Sequence, residues 1–197
     1  MQEATHGEPL PCDGAIYRMH PVPPPLVHPF TATLMDSNEQ LIIWLRDAHA
    51  MERSNAGVLE RHRADADQLP HVRDQLEKHL IETRDHARRL EGCLELLNAT
   101  ASTTKDVAAN VVGLMQGMGT GLFRDGLVKN ALAEYAMEHF EIACYSSLIA
   151  AAEAAGQVDI AHTCSDILRE EVAMANWLED EIPKITVAYL ELAARPA

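Results

Sequence analysis

Residues 160–178 read IAHTCSDILREEVAMANWL, and their pattern is that of an amphipathic helix with one member out of place. Apolar side chains recur every three or four residues and form a stripe along one face of the helix. The stripe consists of Ile160, Cys164, Ile167, Glu171, Met174 and Leu178. Glu171 is the acid in this stripe, and a carboxylate facing a core is costly unless it is paired, hydrogen-bonded or bound to a metal.

The same anomaly recurs in three other segments with helical periodicity. The stripe of the first segment consists of Leu41, Leu45, Ala48, Glu52, Ala56 and Leu59. Glu82 and Glu141 lie on the apolar stripes of the second and third segments. Four buried carboxylates brought together would repel one another, so a bound cation is the simplest explanation for their coexistence. The chain is therefore predicted to be a helical bundle built around a metal site.

The composition fits one large helical domain and disfavours several partners. Of the 197 residues, 47% are hydrophobic and 5% aromatic, and the formal net charge is −14. That charge argues against nucleic acid, whose binding requires Lys and Arg to displace counterions, and against anionic membrane surfaces. No segment reaches the roughly 20 apolar residues of a transmembrane helix, and no secretory signal is visible. The four cysteines form no close pair, which favours a cytoplasmic location.

The chain divides into a proline-rich arm and a helical domain. Residues 1–33 are predicted to be a disordered or extended arm, because residues 1–30 contain seven of the ten prolines. Residues 34–197 form the predicted helical domain. Its helices are expected at about 36–64, 70–98, 125–154 and 158–182, with a crossover over 99–125 that contains a short helix at 107–118, and with Pro183 ending or kinking the last helix before a short terminal one. Two antiparallel helical hairpins joined by a long crossover are the plan of a ferritin-like four-helix bundle, so the predicted fold is all-α.

The spacing of the four glutamates places them at one height in the bundle. In an antiparallel hairpin, residues equidistant from the turn lie level with each other. Glu52 and Glu82 are centred on residue 67, inside the first predicted turn, and Glu141 and Glu171 are centred on Gly156, in the second. Each pair is expected about 22 Å from its turn, at a rise of ~1.5 Å per residue. All four carboxylates should therefore lie in one layer.

Neighbouring residues extend the predicted site. His86 lies one turn from Glu82, and Glu138 lies one turn from Glu141, so either Glu138 or Glu141 can supply the ligand from the third helix. The full candidate set for the metal is Glu52, Glu82, His86, Glu138, Glu141 and Glu171. Carboxylates with an imidazole favour iron or manganese over a structural zinc, which prefers sulfur and nitrogen.

Three further side chains near the candidate ligands are expected to play supporting roles. His79 shares the stripe of Glu82 and His86, and His139 lies between the two acids of the third helix. Both histidines are more often structural, or hydrogen-bonded to ligands, than ligands themselves. Tyr145, one turn after the second of these acids, is interpreted as a packed tyrosine that hydrogen-bonds a glutamate.

Three segments carry a likeness to known proteins: HLIETRDH (79–86), EHFEIACY (138–145) and LREE (168–171). They resemble the YciE/YciF-type ferritin-like family of stress-associated bacterial proteins. The likeness covers about residues 34–182 and implies a ferritin-like four-helix bundle, commonly dimeric, with a di-metal centre. The wider di-iron pattern supplies Glu-x-x-His from two helices, but here Met174 stands where the second histidine would be. The departure implies an asymmetric, acid-rich site.

Two classes of function are compatible with these patterns. The leading hypothesis is a di-metal protein, with iron or manganese as cofactor, that reacts with dioxygen or peroxide in the oxidative-stress response. In this hypothesis Glu82 and Glu171 bridge the metals, while Glu52 and either Glu138 or Glu141 hold the outer positions. The alternative is a metal-free structural or interaction bundle that dimerises through its first two helices. The expected partners are a second copy of the chain and a small oxidant, with neither nucleic acid nor membrane.

Overall fold

The computed structural model describes residues 36–101 and 126–194, and every regular element in this part of the chain is an α-helix. The helices are α1 (Ser37–Asp65), α2 (Pro70–Leu96), α3 (Gly126–Ala154) and α4 (Val158–Ala193). The predicted all-α four-helix bundle is thereby confirmed. The predicted proline-rich arm and the short crossover helix lie outside the described residues. None of the described helices combines the length and the apolar character needed to cross a membrane.

Local chemistry explains where the two hairpins begin and turn. Asp36 caps α1 by accepting a hydrogen bond from the backbone amide of Asn38 at 3.2 Å. Pro70 occupies the first turn of α2, where a backbone N–H would have no partner within the helix. Gly156 has a φ of 72°, a left-handed conformation that favours glycine, and it follows the end of α3. α1 packs mainly on α2, and α3 packs mainly on α4, so the predicted pairing into hairpins is confirmed.

The direction of the helices distinguishes this bundle from a simple up-and-down arrangement. Tyr145 of α3 donates a hydrogen bond to Glu52 of α1, and Asn130 of α3 donates to Asp65 of α1 at 3.0 Å. From Asn130 to Tyr145 along α3, the partners on α1 run backwards from Asp65 to Glu52, so α1 and α3 are antiparallel. Since α1 is also antiparallel to α2, α2 and α3 point the same way. The end of α2 and the start of α3 therefore lie at opposite ends of the bundle, as in ferritin-like folds.

Apolar side chains fill the bundle in two clusters, one on each side of a polar layer. The first apolar cluster includes Leu41, Leu45, Leu90, Leu148, Ile160 and Ile167. The second apolar cluster includes Leu59, Val72, Leu76, Met174, Leu178 and Ile185. Glu52, His86, Glu138 and Glu171 are buried between the stretches that supply these clusters. The packed side chains on both sides lower the local dielectric and strengthen every charge interaction in the layer.

One predicted boundary is wrong, because α4 does not end at Pro183. The helix continues through this residue to Ala193, and no separate terminal helix follows. A proline in a helix interior cannot donate a hydrogen bond, here to the carbonyl of Glu179, and costs ~3 kcal/mol or more. Pro183 and Glu179 are both exposed, so water can satisfy the freed carbonyl. Ile185, just beyond the proline, is 1% exposed in the second apolar cluster, and burial of such residues offsets the cost.

Replacement of Pro183 by alanine is expected to stabilise the protein by about 1–3 kcal/mol, because alanine restores the missing N–H and favours the helix. Urea unfolding followed by circular dichroism measures the change. Ile185→Ala is the control two residues away, and it is expected to destabilise by about 2–5 kcal/mol through loss of core packing. A Pro183→Ala protein that unfolds at lower urea than the wild type would contradict this account of α4.

Candidate metal centre

Among the described residues, two groups of buried side chains in the polar layer could each hold a metal ion. The first group contains Glu52 of α1, His86 of α2 and Glu171 of α4, and the second contains His79 of α2, Glu138 of α3 and Glu171 again. In each group, one ligand atom from each residue lies within 4.8 Å of the others, so one ion could contact all three residues. Oε1 of Glu171 faces His86 and its Oε2 faces His79. This is the arrangement expected of a carboxylate that bridges two ions.

His86 presents one nitrogen to the centre and is held by the other. Its Nδ1 lies 2.8 Å from Oε1 of Glu171 and 3.6 Å from Oε2 of Glu52. Its Nε2 is hydrogen-bonded to Oε2 of Glu170 at 2.6 Å, and Arg89 also donates to that carboxylate. A carboxylate on the outer nitrogen fixes the orientation of an imidazole and leaves the inner nitrogen available to a metal.

His79 repeats this arrangement with its nitrogens exchanged. Its Nε2 lies 3.1 Å from Oε1 of Glu138 and 3.6 Å from Oε2 of Glu171. Its Nδ1 lies 3.4 Å from Oε2 of Glu82, which also pairs with Lys78 at 3.4 Å. Each imidazole therefore has an acid behind it on the outside of the bundle and an acid in front of it on the inside.

The atoms that face the centre have no hydrogen-bond partner among the described residues. They are Oε2 of Glu52, Nε2 of His79, Nδ1 of His86 and both carboxylate oxygens of Glu138 and of Glu171. The five residues are fully buried. The close approach of His86 to Glu171 is an ion-pair contact without hydrogen-bond alignment. A buried polar atom without a partner costs ~1–3 kcal/mol, so the convergence of these atoms fits a cation as their shared partner.

The electrostatics of the layer show how strongly it attracts positive charge. Burial raises the pKa of Glu138 to about 8, although a neighbouring imidazole acts in the opposite direction. Burial and the charge of Glu171 raise the pKa of Glu141 well above its usual value. Burial by itself lowers the pKa of His86, but its contacts with Glu171 and Glu52 outweigh burial and raise it to about 10. Metal ions compete with the protons on such groups, so metal binding releases protons.

Glu141 lies in the same layer but outside both groups. Its carboxylate accepts a hydrogen bond from the side-chain amide of Asn55, whose Nδ2 lies 3.2 Å from Oε1 and 3.4 Å from Oε2. It is fully buried and close enough to Glu171 and Glu52 to be affected by their charges. Of the two acids left open for α3, Glu138 belongs to a group that could hold a metal ion and Glu141 lies beside it.

The charges and donor types of the layer suit two divalent cations. Its four fully buried carboxylates, those of Glu52, Glu138, Glu141 and Glu171, carry four negative charges when ionised, and two divalent ions carry four positive ones. A single divalent ion would leave two of these charges uncompensated in the interior. The groups contain only carboxylate oxygens and imidazole nitrogens, which suit iron or manganese better than a structural zinc.

Four of the six residues proposed from sequence join the two groups, and two do not. The four are Glu52, His86, Glu138 and Glu171. The carboxylate of Glu141 accepts a hydrogen bond from Asn55 instead. The side chain of Glu82 is 27% exposed and lies on the outer side of His79, where it supports the imidazole instead of bridging the centre.

His79 belongs to the second group, although its position in the sequence predicted only a supporting role for it. At about 100° per residue, His79 and His86 differ by only about 20° around α2, whereas Glu82 lies about 40–60° from both. Around the helix axis, Thr83 and Glu82 lie on opposite sides of the two histidines. Thr83 is 1% exposed, so the buried face of α2 extends from the histidines toward Thr83 and away from Glu82. The seven-residue spacing of the two histidines is the signal that identifies them as a pair, because this period keeps residues on one face.

A buried hydrogen bond between a histidine and a glutamate lies between the centre and the end of the bundle where α3 begins. His62 of α1 is hydrogen-bonded through Nδ1 to Oε1 of Glu134 of α3. Both residues are buried, and Oε2 of Glu134 has no hydrogen-bond partner among the described residues. Glu134 lies one turn from Glu138, and Asn130 lies one turn further along α3. The polar face of α3 therefore extends from the centre to the end of the helix.

The helix directions and the buried carboxylate–histidine cluster define a ferritin-like four-helix-bundle protein. Residues 36–191 match the family model for a domain of unknown function, DUF892. The protein belongs to the DUF892 family. This match, together with the solved structures it resembles, confirms the YciE/YciF-type resemblance seen in the sequence.

Solved structures from three bacteria share this fold. A protein from Xanthomonas campestris pv. campestris is 34% identical, with a TM-score of 0.71, and the match covers 82% of this chain and 100% of that one. The E. coli stress protein YciF is 22% identical, with a TM-score of 0.66 and coverage of 76% and 96%. The Desulfovibrio desulfuricans bacterioferritin, a protein with a diiron site, is 17% identical, with a TM-score of 0.65 and coverage of 82% and 91%. At these identities the last two likenesses show the fold alone.

His62→Leu and Glu134→Leu are each expected to lower the free energy of unfolding by about 1–3 kcal/mol, because each leaves a buried polar group without its hydrogen-bond partner. The double variant is expected to lose much less than the sum of the two, since a leucine pair leaves neither group unpaired. Urea unfolding of the four proteins in the presence of a chelator gives the coupling energy. If the losses in unfolding free energy of the two single variants add up to the loss in the double variant, the two residues do not stabilise each other.

Proposed function

We propose that this protein is a di-metal carboxylate protein that binds iron or manganese and reacts with dioxygen or peroxide in oxidative-stress defence, as a homodimer in the cytoplasm. The observation that carries the proposal is the pair of three-residue groups joined by Glu171, whose inward-facing atoms lack a hydrogen-bond partner within residues 36–101 and 126–194. Two proteins with this fold support the class: YciF is named a stress protein, and the bacterioferritin has a diiron site.

Each ion in the proposed centre would be held by one imidazole and two carboxylates. Glu52 and His86 hold one position, His79 and Glu138 hold the other, and Glu171 contributes an oxygen to each. Three protein residues at each position leave room for an exogenous ligand, since iron and manganese accept more than three donors. When bound, the metal pair supplies the electrons that reduce the oxidant.

The surrounding residues orient the ligands and exclude water. Tyr145, which is fully buried, donates a hydrogen bond to Oε1 of Glu52 and leaves Oε2 of that carboxylate directed at His86. The two apolar clusters seal the layer from the ends of the bundle. Exclusion of water strengthens the electrostatic interactions inside the site and limits side reactions. These features favour controlled reaction with a small oxidant over open exchange with solvent.

Saturation of the metal-free protein with Mn(II), or with Fe(II) under anaerobic conditions, is expected to raise its stability. Ligand linkage gives about 2.7 kcal/mol for one site at a ligand concentration of 100 Kd. Glu171→Gln is expected to abolish the effect, because it removes the carboxylate shared by both groups. The matched control is Glu181→Gln, since Glu181 is also a buried acid of α4 but pairs with His71 and Lys184. Thermal unfolding with and without metal, and the metal content after reconstitution, are the measurements.

Two results would count against the proposal in different ways. A wild-type protein that retains neither metal, and whose melting temperature responds to neither, would favour the alternative of a metal-free structural or interaction bundle. An equal loss of metal response in Glu181→Gln would attribute the effect of Glu171→Gln to damage of α4 and not to loss of a ligand.

Glu170→Ala is expected to weaken metal binding by about 10- to 100-fold, because the outer nitrogen of His86 loses its carboxylate partner. Isothermal titration with Mn(II) measures the affinity. Glu179→Ala, an exposed acid on the same helix, is the control and should bind as the wild type does. Unchanged affinity in Glu170→Ala would show that packing alone orients the imidazole.

A further inference from the structure

Two open grooves run along the outside of α2, one on each side. The groove between α1 and α2, here called the α1–α2 groove, has a volume of about 390 Å³, and the groove between α2 and α4, the α2–α4 groove, has a volume of about 570 Å³. A water molecule occupies about 30 Å³ in the liquid, so both grooves can hold dioxygen or hydrogen peroxide. They differ in which part of the metal centre they approach.

Of the two, the α1–α2 groove has a member of the metal-binding groups in its lining, namely Glu52. The α2–α4 groove is lined instead by Glu82 and Glu170. These two acids contact the outer nitrogens of His79 and His86, so the imidazole rings stand between the α2–α4 groove and the centre. The α2–α4 side of the site is therefore its supporting side, and the α1–α2 side is the more direct approach.

Glu52 marks the boundary between the α1–α2 groove and the centre. It contributes to the lining of the groove and yet is 0% exposed to solvent. Its Oε2 faces His86 and has no hydrogen-bond partner in the part of the chain that the structure describes. The groove thus leads from the surface to a residue proposed to hold metal, while bulk water stops short of the carboxylate.

Small residues keep the α1–α2 groove open. Ala56, Gly57 and Ala87 form part of its lining. Gly57 lies inside α1 without a positive φ, and glycine costs ~1 kcal/mol relative to alanine in such a position. A Cβ at Gly57 would meet nothing closer than Nη1 of Arg61, at 4.0 Å. Neither the backbone conformation nor close packing requires glycine here, and a larger side chain has room to occupy the groove.

The exposed charged residues at the mouth of the α1–α2 groove balance one another. There, Arg53 and Arg84 face Glu60 and Glu91, while the third acid of the lining, Glu52, is buried at the inner end. An ion pair between Arg84 and Glu60 joins α2 to α1 at this surface. A mouth with two residues of each sign concentrates neither cations nor anions, which suits an uncharged reactant.

We propose that the α1–α2 groove is the route by which an uncharged oxidant, dioxygen or hydrogen peroxide, reaches the metal centre, with Gly57 and its small neighbours keeping the route open and Glu52 at its inner end. The inference rests on the proposed function, and it assigns a specific role to a surface that the function itself does not require. Metal ions need not use this route, since its charges give them no preference for it.

The test compares two variants that place the same side chain in the two grooves. Gly57→Phe adds a ring to the lining of the α1–α2 groove, and Ala173→Phe, on α4, adds the same ring to the lining of the α2–α4 groove. Both proteins are loaded anaerobically with Fe(II), their metal content is measured, and they are mixed with hydrogen peroxide in a stopped-flow spectrometer. Gly57→Leu serves as a second variant where the larger ring impairs folding.

Gly57→Phe is expected to retain its metal and to react at least about tenfold more slowly, while Ala173→Phe stays within about twofold of the wild type. A Gly57→Phe protein that reacts at the wild-type rate, or an equal slowing in Ala173→Phe, would overturn the assignment of the route. Failure of the wild-type protein to bind metal or to react would instead count against the proposed function.

A measurement that does not depend on turnover separates the two proposals. Crystals pressurised with xenon reveal where a small apolar molecule enters the protein, because xenon scatters strongly. Xenon is expected in the α1–α2 groove next to Glu52 in the wild type and is expected to be absent from it in Gly57→Phe. Xenon bound only in the α2–α4 groove would contradict the proposed route, whatever the outcome of the kinetic experiment.

Discussion

A surplus of negative charge in the middle of a helical bundle must be compensated, and the rest of the structure follows from this constraint. Three carboxylates of the layer, Glu52, Glu138 and Glu171, lie against two imidazoles, His79 and His86, with Glu141 beside them, between two clusters of packed apolar side chains. In that low-dielectric setting an unpaired charge is expensive, and so is an unpaired polar atom. Protons compensate part of the charge, as the raised pKa of Glu138 shows. Two divalent ions would compensate all of it and satisfy the unpartnered atoms as well, which is why the proposed function is a metal function.

The two sides of α2 have different roles because of how its histidines are held. Glu82 and Glu170 lie behind the two imidazoles on the side of α4, and each is only partly buried. On the side of α1, the small residues of the α1–α2 groove leave an approach to Glu52. Support on one side and access on the other are what an oxidant-reactive centre needs, since its ligands must stay fixed while a reactant enters.

Much of this arrangement was predictable from the chain, with two instructive exceptions. The sequence predicted that Glu82 faces the centre and that His79 supports it, but the structure has the reverse. His79 faces the centre, and Glu82 contacts the outer nitrogen of that imidazole. The two residues are three apart, and a small rotation of α2 about its axis decides which of them points inward. Pro183 is the other exception, because its local preference for ending a helix is overcome by the burial of Ile185 beyond it.

Residue spacing in the chain is enough to predict the all-α ferritin-like fold and a layer of buried acids within it. Helical periodicity depends on residue spacing alone, and hairpin symmetry about the two turns follows from the fixed rise per residue. Only the tertiary structure decided which atoms converge: that Glu171 serves both groups, that Glu141 is bound by Asn55, and that both histidines of α2 present a nitrogen to the centre. The reason is that a helical pattern gives angles around one axis, whereas the rotation of each helix is set by its packing against the other three.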